Sequence, residues 1–167
     1  MGMQNDDASL MRLAAEVGRR LKSAGLMVAA AESCTGGWIA KALTDVAGSS
    51  AWFERGFITY SDEAKAAMLG VMQSTLAEHG AVSEAVVREM ASGAASWSRA
   101  QVTVAVSGIA GPDGGTPDKP VGLVWIAWRG ADGKLTSRHF QFPGDRESVR
   151  RAAVLAALEG LRDGLKA

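Results

Sequence analysis

Ala29-Ala30-Ala31-Glu32-Ser33-Cys34-Thr35-Gly36-Gly37 is the stretch whose reading decides the fold. An apolar run, Leu26 to Ala31, reads as a buried strand and stops at a polar, glycine-rich turn. A helix pattern follows from about Gly36: Trp38, Ile39, Ala42, Leu43 and Val46 recur at helical spacing, with Thr35 as the expected N-cap. A buried strand feeding a helix is the unit of an α/β sheet, and the turn between them delivers Ser33 to the sheet edge. The first amides of the helix point back at that turn, where they can hold an anion or an oxyanion. The layout imitates a nucleophile elbow without the G-x-S-x-G sequence. A serine at such a turn is more often a cap than a nucleophile.

The same alternation of strand and helix continues outward. Residues 8 to 24 carry Leu10, Leu13, Ala14, Val17 and Leu21 on one stripe, an amphipathic helix ended by Gly25. Gly56 to Tyr60 reads as a second strand, and Ser61-Asp62-Glu63 caps the helix that carries Lys65, Met68 and Leu69. Ser83 to Trp97 forms another helix, and Val102 to Val106 is an apolar run suited to a central strand. Residues 108 to 120 form a loop. Val121 to Trp128 and Leu135 to Phe142 are strands joined at Gly130-Ala131-Asp132-Gly133, and Glu147 to Leu165 is the last helix. This order predicts an α/β class protein, one three-layer α/β/α domain with a mixed sheet, spanning residues 8 to 167 after a disordered stretch from 1 to 7.

Composition narrows the function. Apolar residues make up 47% and charged residues 22%, and 18 basic side chains balance 18 acidic ones, which disfavours a nucleic-acid or membrane-surface role. A single cysteine excludes an internal disulfide. No apolar run approaches the roughly 18 residues of a membrane span and no leader precedes the first helix, so a cytoplasmic location is expected. His79 and His139 have no companions at metal-ligand spacing, so no metal is predicted. A homo-oligomer, with a symmetric dimer as its simplest form, is expected, and Trp52, Trp97 and Trp128 are available for its interface.

Four groups of residues could carry chemistry. Ser33 needs a base, and Lys65 in the first turn of its helix meets the positive end of the dipole, which lowers an ammonium pKa. Tyr60 stands five residues before it. Spacing alone leaves open a solvated helix lysine and a half-buried strand aromatic. The loop Ser107-Gly108-Ile109-Ala110-Gly111-Pro112-Asp113-Gly114-Gly115-Thr116 leaves the most apolar strand and brings bare backbone to the place where open sheets bind ligands. A plain turn rich in breakers fits it as well. Asp145 caps the final helix, whose first turns carry Arg146, Arg150 and Arg151, a placement suited to an anion for Arg146 and to the surface for the other two. Cys34, next to Ser33 at a helix N-terminus, is an alternative nucleophile, but neighbours on extended chain face opposite ways and only one can face the site.

Ala31 to Gly37, Gly56 to Lys65, Ser107 to Gly115 with Lys119-Pro120-Val121-Gly122, and Phe142-Pro143-Gly144-Asp145-Arg146 together resemble the CinA C-terminal domain family in order and spacing, over nearly the whole chain. The resemblance implies a three-layer α/β/α fold and hydrolysis of the carboxamide of nicotinamide mononucleotide in pyridine-nucleotide salvage. It makes Ser33 the nucleophile, Lys65 the base and Tyr60 the residue that holds or relays the proton. Amides at Thr35 and Gly36 would hold the oxyanion. Gly108, Gly111, Gly114, Gly115 and Thr116 would line the pocket; the placement of Arg146 at the substrate phosphate is read from its charge and position instead. It implies no cofactor, and the metal-dependent activity of the additional N-terminal domain of many family proteins is not expected. Asp62 stands where asparagine is expected, a carboxylate that would raise the pKa of Lys65. The alternative from another class is a module that binds a nucleotide or protein partner without turnover.

Overall fold

The computed structural model describes residues 6–166. Its elements are α1 (Asp7–Ala24), β1 (Val28–Glu32), α2 (Trp38–Thr44), a short 3₁₀ turn at Ser49–Ala51, β2 (Phe53–Ile58), α3 (Asp62–Leu69), α4 (Gln73–His79), α5 (Glu84–Ser96), β3 (Val102–Gly108), β4 (Leu123–Arg129), β5 (Leu135–Gln141) and α6 (Arg146–Gly164). The first helix starts within the stretch expected to be disordered: Asp6 caps it by accepting from the Ser9 amide at 2.8 Å. Residues 1 to 5 lie outside the described residues.

The five strands form one mixed sheet in the order β2-β1-β3-β4-β5, as the α/β reading expects. β1 pairs in parallel with β2 and β3, and β3-β4 and β4-β5 are antiparallel. Strand alternation divides the core into two layers. Val28 and Ala30 of β1, with Val102, Val104 and Val106 of β3, face α1, α2 and α6. Ala29, Ala31 and Ala105 face the helices α3, α4 and α5. Helices therefore cover both faces, and small alanines on β1 let α5 pack close against the sheet.

Parallel pairing puts the carboxyl ends of β1, β2 and β3 at one edge of the sheet. Three connections leave that edge: the Ser33 turn after β1, residues 59–61 leading into α3 after β2, and the glycine-rich loop after β3. The Ser33 amide donates to the Val106 carbonyl at 3.0 Å and the Thr59 amide to the Glu32 carbonyl at 2.9 Å, tying the three exits together. This is where open α/β sheets place their ligands.

Of the tryptophans expected at an interface, Trp52 is buried and Trp128 is partly buried against the core. Trp52 is 3% exposed against Gly18, and Trp128 packs on Gly160 and donates its indole N–H to the Ala157 carbonyl at 2.9 Å. Both rings lie where a helix glycine leaves room, which sequence periodicity does not reveal. Among the described residues no helix is long and apolar enough to cross a membrane.

Candidate active site

Alternation continues past the end of β1 and sorts three neighbouring side chains. Glu32 points to the α2 side, Ser33 to the α3 side, and Cys34 back into the core beneath α1, α2 and α6. Glu32 is fully buried, and its carboxylate accepts from the Thr35 hydroxyl at 2.6 Å and from the Ile39 and Ala40 amides at 2.8 and 3.0 Å. These are first-turn amides of α2, so a buried anion sits on the positive end of the helix. The expected cap, Thr35, does not bond those amides. Gly37 occupies the N-cap position without a side-chain bond, and Thr35 instead donates to Glu32. Gly36 and Gly37 have φ of 59° and 99°, consecutive left-handed conformations that let the chain turn sharply from strand into helix.

Lys65 is 1% exposed, and its Nζ lies 3.1 Å from Ser33 Oγ, 3.1 Å from the Thr59 carbonyl and 3.4 Å from the Tyr60 carbonyl. Among the described residues it has no salt-bridge partner. Burial lowers its pKa below the ordinary lysine value, while the Asp62 carboxylate pulls it upward. Asp62 thus acts in the direction read from the sequence. Cys34 is the opposite case, its thiol pushed up to about 12 by burial first and by Glu32 second. It remains a protonated core thiol, which removes the basis for reading it as the nucleophile.

Tyr60 follows β2 rather than ending it, and the residue is 60% exposed. Its hydroxyl accepts from Arg146 Nη2 at 3.0 Å, so the atom it presents to Lys65 is its main-chain oxygen. Arg146 also donates through Nη1 to the Gly111 carbonyl at 2.7 Å, linking α6, the glycine loop and the exit of β2. Gly108 closes β3 against Val124, and Gly115 packs on the Val121 amide. Gly114 takes φ of 92°, and the Thr116 hydroxyl accepts from the Lys119 amide at 3.0 Å. Gly111 is the loop position joined to the site by a hydrogen bond. The Gly36 amide donates to the Ser33 carbonyl at 3.0 Å and so does not face a reacting group. The Thr35 amide makes no hydrogen bond among the described residues.

Arg150, which the sequence placed at the surface, reaches the turn. Its Nε donates to the Cys34 carbonyl at 3.0 Å and its Nη2 to the Thr35 carbonyl at 3.2 Å. The four-residue spacing from Arg146 puts both on one helix face, a signal the sequence carries. Arg151 instead pairs with Asp7 and Glu147. A groove of about 630 Å³ opens on this side of the turn, but neither Ser33 nor Lys65 lines it. Among the described residues no cluster of histidine, cysteine and carboxylate side chains could hold a metal ion.

A serine bonded to a buried, unpaired lysine beside a free backbone amide has the parts of an acyl-transfer site. The model of the CinA C-terminal domain matches residues 10–165. The chain is 59% identical over 155 residues to an Escherichia coli K12 protein named nicotinamide-nucleotide amidohydrolase PncC, covering 93% of this chain and 94% of that one. It is 54% identical over 149 residues to a Pseudomonas putida protein of the same name, covering 89% and 92%. Among solved structures, competence/damage inducible protein CihA from Agrobacterium tumefaciens superposes with a TM-score of 0.90 at 46% identity, over 96% of this chain and 97% of that one. A CinA superfamily protein from Escherichia coli superposes with the same TM-score at 37% identity, over 96% and 92%.

Proposed function

The chain belongs to the CinA C-terminal domain family, and from that premise and the site geometry we propose that it is a nicotinamide-nucleotide amidohydrolase with a serine nucleophile and a lysine base. The observation that carries the mechanism is the 3.1 Å contact between Lys65 Nζ and Ser33 Oγ. A neutral lysine has two N–H bonds and one lone pair. The Thr59 and Tyr60 carbonyls occupy the two donors, which leaves the lone pair facing the serine hydroxyl.

In the proposed reaction Lys65 takes the Ser33 proton as Oγ attacks the carboxamide carbon of nicotinamide mononucleotide. The oxyanion of the tetrahedral intermediate forms beside the Cys34 and Thr35 amides. Lys65 returns the proton to the departing nitrogen, which leaves as ammonia, and an ester to Ser33 remains. Water, deprotonated by the same lysine, hydrolyses the ester to nicotinate mononucleotide and regenerates the serine. Substrate, water and these side chains balance every atom of the reaction. Arg146, oriented by Tyr60 and Gly111, faces the substrate phosphate with its remaining N–H groups, and the glycine loop covers the nucleotide. The product serves pyridine-nucleotide salvage in the cytoplasm.

The test is ammonia release from nicotinamide mononucleotide by the purified protein in EDTA, with Ser33→Ala and Lys65→Ala alongside. Activity that survives the chelator and disappears in both variants supports this reading. Saturable nucleotide binding without product in the wild type would replace it with a binding module.

A further inference from the structure

We propose that Arg150 is the positioning residue that aims the oxyanion-holding amide of the serine turn, an assignment that rests on the amidohydrolase reading. In a trans peptide the carbonyl and the following N–H point in opposite directions, and the peptides of this turn are trans. Arg150 draws the Cys34 carbonyl toward α6, so the Thr35 N–H is turned away from α6. It draws the Thr35 carbonyl the same way, which turns the Gly36 N–H around to close on the Ser33 carbonyl. One of these two amides is engaged in the turn. The other, Thr35 N–H, has a fixed direction and no partner among the described residues, the condition a preorganised oxyanion donor must meet.

The clamp is itself fixed. The Arg150 guanidinium lies 5.5 Å from the Trp38 ring centroid and has no salt-bridge partner among the described residues, so its directed bonds go to the turn. Glu32 holds the Thr35 hydroxyl, so the turn is gripped by a carboxylate on its side chain and a guanidinium on its carbonyls. The two bonds leave different nitrogens, Nε and Nη2, of one planar guanidinium, a fixed spacing that the single ammonium nitrogen of a lysine does not reproduce.

Steady-state kinetics on nicotinamide mononucleotide with wild type, Arg150→Ala and Arg150→Lys test this. The expected result is a kcat loss of about 100-fold in Arg150→Ala, the size of effect that follows loss of one oxyanion donor. KM should stay within about twofold, because the aimed amide acts in the transition state rather than on bound substrate. Millimolar methylguanidinium should restore part of the Arg150→Ala rate, and the pH profile set by Lys65 should keep its position. Unchanged kcat, or a raised KM with kcat retained, overturns the assignment, the latter by making Arg150 a substrate contact. So does a displaced pH profile, which would place its effect on Lys65. If Arg150→Ala does not fold, Arg150→Lys carries the same division between kcat and KM. A wild type that releases no ammonia removes the amidohydrolase reading itself, an outcome distinct from an active wild type indifferent to Arg150.

Discussion

At the scale of the residue, Lys65 in its proposed role trades stability for reactivity. Its ammonium form must lose water in a site that offers carbonyls but no carboxylate, so folding disfavours the proton. The sign follows from linkage. Because the folded-state pKa lies below the unfolded one, the unfolded chain binds more protons in the interval between them, and stability rises with pH across it. Lys65→Met is therefore expected to raise Tm at neutral pH while removing ammonia release, which calorimetry and an ammonia assay on one preparation would establish together. In the proposed mechanism a neutral lysine is the active form, so the activity should climb as pH rises through the folded-state pKa. Asp62→Asn removes an anion that favours the ammonium, and should move that climb toward lower pH, read from the pH profile of kcat/KM. A profile that stays in place would mean that the Asp62 charge is screened by solvent before it reaches Nζ.

At the scale of the element, the turn from β1 into α2 depends on a carboxylate that the sequence shows but does not explain. Glu32 replaces the missing N-cap of α2, and an amide in its place would turn an NH₂ toward one of the helix donors. Glu32→Gln should destabilise the fold by about 2 kcal/mol, the range for an unsatisfied buried polar group or a lost charge-assisted bond, measurable by urea unfolding. A change within about 0.5 kcal/mol, typical of a surface substitution, would show that solvent reaches the helix terminus. This turn also shows what was legible. The apolar run ending at Ala31 and the helical spacing after Gly37 depend on local pattern, and both elements stand where pattern put them to within a few residues. That neighbours on extended chain face opposite ways also separates Ser33 from Cys34. Which side chain caps α2 depends on the direction in which Glu32 leaves the sheet, and that direction depends on packing. Thr35, the better cap by residue type, was the natural choice for the same reason. The partners of Tyr60 and Arg150 are set by how α6 docks, 86 and 116 residues away from what these two side chains touch, and no local pattern encodes such pairs.

At the scale of the molecule, the lysine and the serine are held on different layers, and their 3.1 Å separation is a property of how α3 and α5 pack. Ser33 is fixed to the sheet through β1, while Lys65 rides on α3, whose last residue, Leu69, lies against Gly93 of α5. A Cβ on Gly93 would sit 1.9 Å from the Leu69 carbonyl oxygen, a main-chain atom that can move only if the helix moves. α5 is pinned by its packing on β1 and β3, so α3 must give way and take Lys65 with it. Gly93→Ala should therefore destabilise by about 1–3 kcal/mol, as overpacking does, lowering Tm by roughly 2–4 °C per kcal/mol for a chain of this size. It should also depress kcat without touching a site residue. Gly164→Ala is the matched control, since a Cβ there meets nothing within 4 Å and should leave both quantities near the wild type. If Gly93→Ala lowered Tm and spared kcat, the serine and lysine would be held together by the bonds of Nζ to the Thr59 and Tyr60 carbonyls alone, and the packing of α3 on α5 would serve stability only.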